Sequence, residues 1–205
     1  MMAGMEEAPE TDADGGTSGR SGEIVVVTGA DGPIGRRVVA MSLATAGVDR
    51  VIAVGLSSSK RDFAASTGGA GAELVPAPFA LDDPRLVNVL QGATRLIHLG
   101  PRHGLEIDGT GGTNVSLVGT RSLLAALARV GDVRDVVVLS SALVYGARAE
   151  NPVPLTESAP VRPNPAIQAA VDRSELEKLC VSGNRVERRT ELMAHRREEI
   201  IFRLL

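Results

Sequence analysis

Aromatic residues are almost absent from this chain. Its 205 residues include three Phe, one Tyr and no Trp. No row of rings is available on which exposed nucleobases could stack. A core must therefore be assembled from Val, Leu, Ile and Ala. Cysteine is equally scarce: Cys180 stands alone, so no disulfide can form within the chain. A reducing compartment such as the cytoplasm suits that composition. No run of about 18 apolar residues occurs, which excludes a membrane-spanning helix. The first residues are acidic and glycine-rich rather than basic and then apolar, unlike a secretory signal. Neither sign of charge dominates. The net charge of −3 leaves no polycationic footprint for nucleic acid. No His, Cys or carboxylate cluster has metal-ligand spacing, and no metal is expected.

What remains is a composition typical of a globular protein, with 43% hydrophobic and 23% charged residues. The length suits one domain with a substantial core. Residues 1–22 are small, acidic and without periodicity, and are expected to be a disordered tail. The folded domain is expected over 23–205.

Within it, apolar runs alternate with helical patterns. Strands are expected over 24–28, 50–54, 73–76, 95–99 and 133–140. Helices are expected over 35–46, 84–90, 113–130 and 166–181. The stretch 56–71 reads as loop with a weak helix at 61–66, and 146–165 as a proline-rich loop. The charged tail 185–205 fits a helix followed by a sixth strand at 200–205. Alternating strands and helices with continuous apolar strands imply an α/β fold. It is a Rossmann-type doubly wound parallel sheet with helices on both faces, and its ligand crevice lies at the carboxyl ends of the strands.

The segment Val25-Val26-Val27-Thr28-Gly29-Ala30-Asp31-Gly32-Pro33-Ile34-Gly35 carries the functional signal. A β-branched strand feeds a turn with glycines at 29, 32 and 35, and a helix follows. Such spacing permits a tight turn, close backbone approach to a pyrophosphate, and close packing of helix on strand. The helix N-terminus adds N–H groups and a positive dipole end. An acidic residue about 20 positions further on usually binds the ribose 2′-hydroxyl. Gly55 stands there, followed by Lys60 and Arg61. On the residues alone NADP(H) is favoured over NAD(H).

Between Glu23 and Cys180 the chain resembles the extended short-chain dehydrogenase/reductase family, the NAD-dependent epimerases and dehydratases. The resemblance is carried by the glycine loop, Leu96-Ile97-His98-Leu99-Gly100, Asn114-Val115 with Gly119-Thr120 and Leu123-Leu124, Val138-Leu139-Ser140-Ser141-Ala142-Leu143-Val144-Tyr145-Gly146, Pro154-Leu155-Thr156-Glu157 and Ser174-Glu175-Leu176-Glu177-Lys178-Leu179. It implies NAD(P) held by Gly29, Asp31, Gly32, Pro33, Ile34, Gly35, Leu99, Gly100, Ser140 and Arg173. It also implies hydride exchange with a small-molecule substrate. A tyrosine would carry the hydroxyl proton, a lysine four residues later would lower its pKa, and a serine matched by Ser141 would bind the substrate oxygen.

The tyrosine and lysine are missing. Ala169 and Arg173 occupy their positions, and no tyrosine lies between 146 and 205. A positioned proton carrier is worth roughly 10²–10⁴-fold in rate. A guanidinium does not replace an ammonium in that role. Ala80 stands where the family often has an adenine-contacting aspartate, and Gly100-Pro101 replaces Ala-Ala. The family's C-terminal substrate lobe is expected to be largely missing.

Among substitute acid/base groups, His103 lies in the glycine-rich loop near the crevice mouth, and Tyr145 is better read as a residue of the pocket floor. His98 reads as a hydrogen-bonded core histidine and Cys180 as inert.

Three readings follow. The first is an NAD(P)-binding member without the usual chemistry, its cofactor affinity weakened or even lost. The second is an active oxidoreductase or epimerase with rewired acid/base groups at Ser141, His103 or Tyr145. The third is a non-redox lyase, cyclase or protein-binding role. The resemblance also implies a homodimer through the helices at 113–130 and 166–181, or a partner protein that completes the site.

Overall fold

Valine-rich strands explain the frame. In β1 (Glu23–Thr28, EIVVVT) and β2 (Val48–Val54, VDRVIAV) the last four residues are buried on both sides. That is the pattern of a parallel sheet covered on two faces. The computed structural model describes residues 22–55, 72–77, 81, 83–100, 112–156, 158–183, 191–195 and 199–204, with the backbone alone for 112–116, 181–183, 191–195 and 199–204. The expected element at 61–66 lies outside them.

The described elements run β1, α1 (Pro33–Leu43), β2, β3 (Glu73–Ala77), α2 (Leu86–Leu90), β4 (Arg95–His98), α3 (Gly112–Val130), β5 (Asp135–Ser141), a 3₁₀ turn (Ala142–Tyr145), α4 (Gln168–Gly183), β6 (Glu191–His195) and β7 (Glu199–Leu204). The sheet order is β3-β2-β1-β4-β5-β7-β6. The first five strands in that order pair in parallel.

Alternate residues of the strands feed two cores. Val25, Val27, Val51, Ala53 and Leu139 pack with Val39 and Leu43 of α1. Val26, Ile52, Val54 and Leu96 pack with Leu86 and Leu90 of α2 and with Leu123 and Ala126 of α3. Leu176 and Cys180 of α4 join Val138 on the second face. At the amino end of the strands Arg95 bridges Asp135 (2.8 Å) and Glu23 (3.2 Å), tying β4 to both neighbours away from the crevice.

Several boundaries differ from the sequence reading, among them β2 beginning at Val48, β5 at Asp135 and α4 at Gln168. Helix α1 stops at Leu43 rather than at residue 46, because β2 begins at Val48 and the connection must close within four residues. It does so through Ala44 N–H to Ala40 O and Thr45 N–H to Ser42 O, with Gly47 at φ +88°. Helix α2 begins at Leu86, not at residue 84, because the Asp83 carboxylate accepts from Arg85 N–H (2.9 Å) and holds a turn ahead of it. The tail corrects the expectation of a helix: 191–195 is a strand, and β6 and β7 pair antiparallel. A three-residue connection allows only that return. β7 then lies antiparallel on β5, so the sheet is not wholly parallel.

Candidate functional site

Strand order reverses between β1 and β4, so the crevice of a doubly wound sheet falls at their carboxyl ends. Leu99 N–H donates to Thr28 O (3.3 Å), which holds the loops after β1 and β4 together. Gly29 has φ +69°, and a Cβ there would stand 2.2 Å from Gly100 O. A Cβ on Gly35 would stand 2.2 Å from Gly29 O and 2.6 Å from Ala30 Cα. Both glycines are demanded by the chain's own packing.

Gly32 is different. Its backbone, at φ −73° and ψ 166°, suits any residue. The nearest atom to a Cβ there is 3.6 Å away, which is ordinary contact. Nothing within the described residues requires a glycine at this position. Pro33 starts α1 in the position where its missing N–H costs nothing. No side chain caps this helix end and no acidic residue lies in its first turn. Its positive end is thus presented to the crevice. Ile34 packs against the core beneath.

On the other side of the crevice Leu99 is buried and Gly100 adopts φ +77°. Arg173 of α4 reaches the same place, with its Nη1 3.3 Å from where a Gly100 Cβ would be. It is 7% exposed and donates to Leu139 O at 3.0 Å. One turn earlier Ala169 is exposed. Where the family resemblance implies a phenol and an ammonium, there is an exposed methyl and a buried guanidinium.

Ser140 donates its hydroxyl to the Glu177 carboxylate, and both are buried. Burial pushes the Glu177 carboxyl up to about 6, against the Ser140 hydrogen bond and the positive charge of Arg173. Burial and the neighbouring Glu177 push the Cys180 thiol up to about 11, which keeps it protonated and unreactive. His98 accepts or donates at both ring nitrogens, with Nδ1 2.7 Å from Thr28 Oγ1 and Nε2 3.0 Å from Thr120 Oγ1. Burial, reinforced by the Arg173 charge, lowers its pKa to about 3. It is a neutral pin joining β4 to β1 and α3, as its place on a buried strand implied.

Ser141 ends β5 and caps the 3₁₀ turn, its Oγ accepting from Leu143 N–H at 3.3 Å. Tyr145 is 5% exposed and packs with Val144 and Ala159. His103, Lys60, Arg61, Ala80 and Pro101 lie outside the described residues. Among the described residues no group of three or more His, Cys, Asp or Glu could hold a metal ion. No described helix is long and apolar enough to cross a membrane.

Sequence reading missed two features. One is the Arg173–Glu177–Ser140 cluster, whose signal was an i,i+4 pair of opposite charges on the helix face that also carries Ala170, Leu176 and Cys180. The other is the placement of Asp31, whose Oδ1 lies 2.9 Å from where a Gly55 Cβ would be. No local pattern marks that long-range contact.

The fold and the crevice at its strand ends define an α/β domain of the Rossmann type. The family model of the NAD dependent epimerase/dehydratase family matches residues 25–171, and the chain belongs to that family. Solved structures similar to it include MoeE5 in complex with UDP-glucose and NAD, at 26% identity and a TM-score of 0.60 over 78% of this chain and 48% of that one. A double mutant of DesIV, the dTDP-glucose 4,6-dehydratase of Streptomyces venezuelae, with NAD and DAU bound, is 25% identical with a TM-score of 0.64 over 77% and 50%. An Agrobacterium tumefaciens short-chain dehydrogenase/reductase superfamily protein with bound NAD is 26% identical, with a TM-score of 0.60 over 80% and 45%. The chain thus spans about half the length of these proteins. A comparison with curated protein sequences finds no match.

Proposed function

We propose that this domain binds a nicotinamide dinucleotide across the carboxyl ends of β1 and β4 and does not run the family's tyrosine–lysine proton relay. The observation that carries the binding half is Gly32, a glycine that neither its backbone conformation nor packing among the described residues requires. A pyrophosphate seated on the N-terminus of α1 does require it, because a side chain there would stand in the phosphate's path. Gly29, Asp31, Pro33, Ile34 and Gly35 shape that cradle, and Leu99 and Gly100 wall its other side. Arg173 lies beside Gly100, within reach of a ligand on that wall. The NAD-bound relatives support the reading.

The bound nicotinamide would supply hydride chemistry, but the positions matched to the family's proton carrier and its lysine hold Ala169 and Arg173. Ala169 has no ionisable atom, and a guanidinium stays charged at any working pH. Tyr145 is packed into the turn after β5, and the Ser141 hydroxyl accepts from Leu143 N–H in the cap of that turn. A substrate-holding partner, whether a second copy or another protein, would be needed for nucleotide-sugar turnover of the kind named for the relatives. A cytoplasmic, reducing setting is the matching compartment.

The test is to titrate the purified chain calorimetrically with NAD⁺, NADH, NADP⁺ and NADPH. The same protein is then incubated with UDP-glucose or dTDP-glucose while nicotinamide absorbance is followed. Saturable binding without turnover is expected. Steady turnover would contradict the loss of the relay, and turnover abolished by Ser141→Ala would point to a rewired acid/base. Failure of every dinucleotide to bind would overturn the binding half and leave the non-redox reading.

A further inference from the structure

Gly55 ends β2 in the position from which an acidic side chain usually reaches the adenosine ribose. The absence of a side chain there does not leave the place empty of charge. An ideal Cβ on Gly55 would stand 2.9 Å from Asp31 Oδ1, 3.2 Å from its Cγ and 3.3 Å from its Cβ. The carboxylate of the glycine loop thus occupies the space that a residue-55 side chain would enter. Glycine at 55 and aspartate at 31 are two halves of one arrangement. Main-chain bonds hold the loop in place, with Ala30 N–H to Val54 O and Gly55 N–H to Ala77 O, both 3.2 Å.

The Asp31 carboxylate is half-buried, and no described residue donates a hydrogen bond to it or pairs with it. Arg36 donates its Nε–H to the main-chain oxygen of Asp31 (3.2 Å). An ionised carboxylate only accepts hydrogen bonds. It therefore welcomes a ribose hydroxyl and repels a 2′-phosphate.

We propose that Asp31, delivered by the glycine loop to the end of β2, replaces the missing β2 acid as the reader of the adenosine ribose and makes the site select NAD(H) over NADP(H). This rests on the dinucleotide reading above. It reverses the preference inferred from Gly55, Lys60 and Arg61 in the sequence. It also gives Asp31 a task beyond placing a negative charge near a helix N-terminus.

The experiment compares NAD⁺ and NADP⁺ affinities of the full chain by calorimetry at low and moderate salt. The proteins are the wild type, Asp31→Asn, and Asp31→Gly combined with Gly55→Asp, each checked by thermal melting. The wild type is expected to prefer NAD⁺ by roughly tenfold or more, less at higher salt. Asp31→Asn is expected to remove most of that ratio by gaining affinity for NADP⁺. The double variant returns the carboxylate to β2 and restores the preference.

Equal affinities in the wild type, or a preference for NADP⁺, would overturn the inference while leaving the dinucleotide reading standing. So would an Asp31→Asn ratio that matches the wild type, whether or not the melting temperature falls. The latter result would mean that Asp31 serves the helix end only. If the wild type binds neither dinucleotide, the reading beneath the inference fails and takes it down as well.

Discussion

At the scale of single residues, His98 shows how a polar group can hold a parallel sheet together from inside. Both ring nitrogens are bonded, to Thr28 and Thr120, in a fully buried setting. Replacing it by alanine leaves two buried hydroxyls without that partner and should cost about 3 kcal/mol or more in a urea-unfolding measurement. Its pKa falls from 6.5 in the unfolded chain to about 3 in the folded one. Below pH 6.5 the unfolded chain takes up a proton that the folded chain refuses. Stability should therefore decline as pH falls from 6.5 toward 3, and His98→Gln should flatten that slope. An unchanged slope in the variant would assign the acid sensitivity elsewhere.

His98 was legible in the sequence because a lone histidine on an apolar strand has to be satisfied internally. Asp31 was not. Its meaning depends on Gly55, which is remote in sequence and adjacent in space. The Ser140–Glu177 hydrogen bond was not legible for a related reason: it forms only where α4 brings Glu177 against the end of β5.

At the scale of elements, α4 carries the two positions where the family resemblance implies a phenol and an ammonium. It presents a methyl at Ala169 to the outside and buries Arg173 and Glu177 against the ends of β4 and β5. Glu177 rises from 4.5 in the unfolded chain to about 6 in the folded one. The folded state thus holds a proton that the unfolded state releases. The stability this contributes is full below pH 4.5 and is lost as pH rises through 6. Glu177→Gln carries no such cost of ionisation. Relative to the wild type, its stability should improve between pH 4.5 and 7 by on the order of 2 kcal/mol. Melting curves of both proteins across that range would show the gap widening with pH, and a constant gap would contradict the burial account.

The existence and type of α1, α3, α4 and the five parallel strands could be read from periodicity, because each buries a regular set of apolar residues. Their ends could not, because Asp83 and the tight closure before Val48 act through backbone bonds that periodicity does not record.

At the scale of the whole molecule, the parallel half is continuous from β3 to β5, and β7 then covers the far edge of β5 in antiparallel register. Deleting residues 184–205 would leave the N–H and C=O groups of 136–141 on an open edge. Amide exchange there should quicken, and the shortened chain should self-associate on size-exclusion chromatography. Unaltered protection of 136–141 would argue against that pairing. The tail's strands were hard to read because their pairing is non-local and their residues mix charge with apolar side chains. The doubly wound core was easy, since its continuous apolar strands admit few other arrangements.

All three scales meet at the crevice between β1 and β4, and the claim that it holds a dinucleotide rests on Gly32. The most direct measurement is calorimetric titration of NAD⁺ into the wild type and into Gly32→Val, a substitution whose Cβ the backbone and its neighbours accommodate. Saturable binding by the wild type that disappears in Gly32→Val, with the melting temperature little changed, is the predicted result. No binding to the wild type, or equal binding to both proteins, would contradict it.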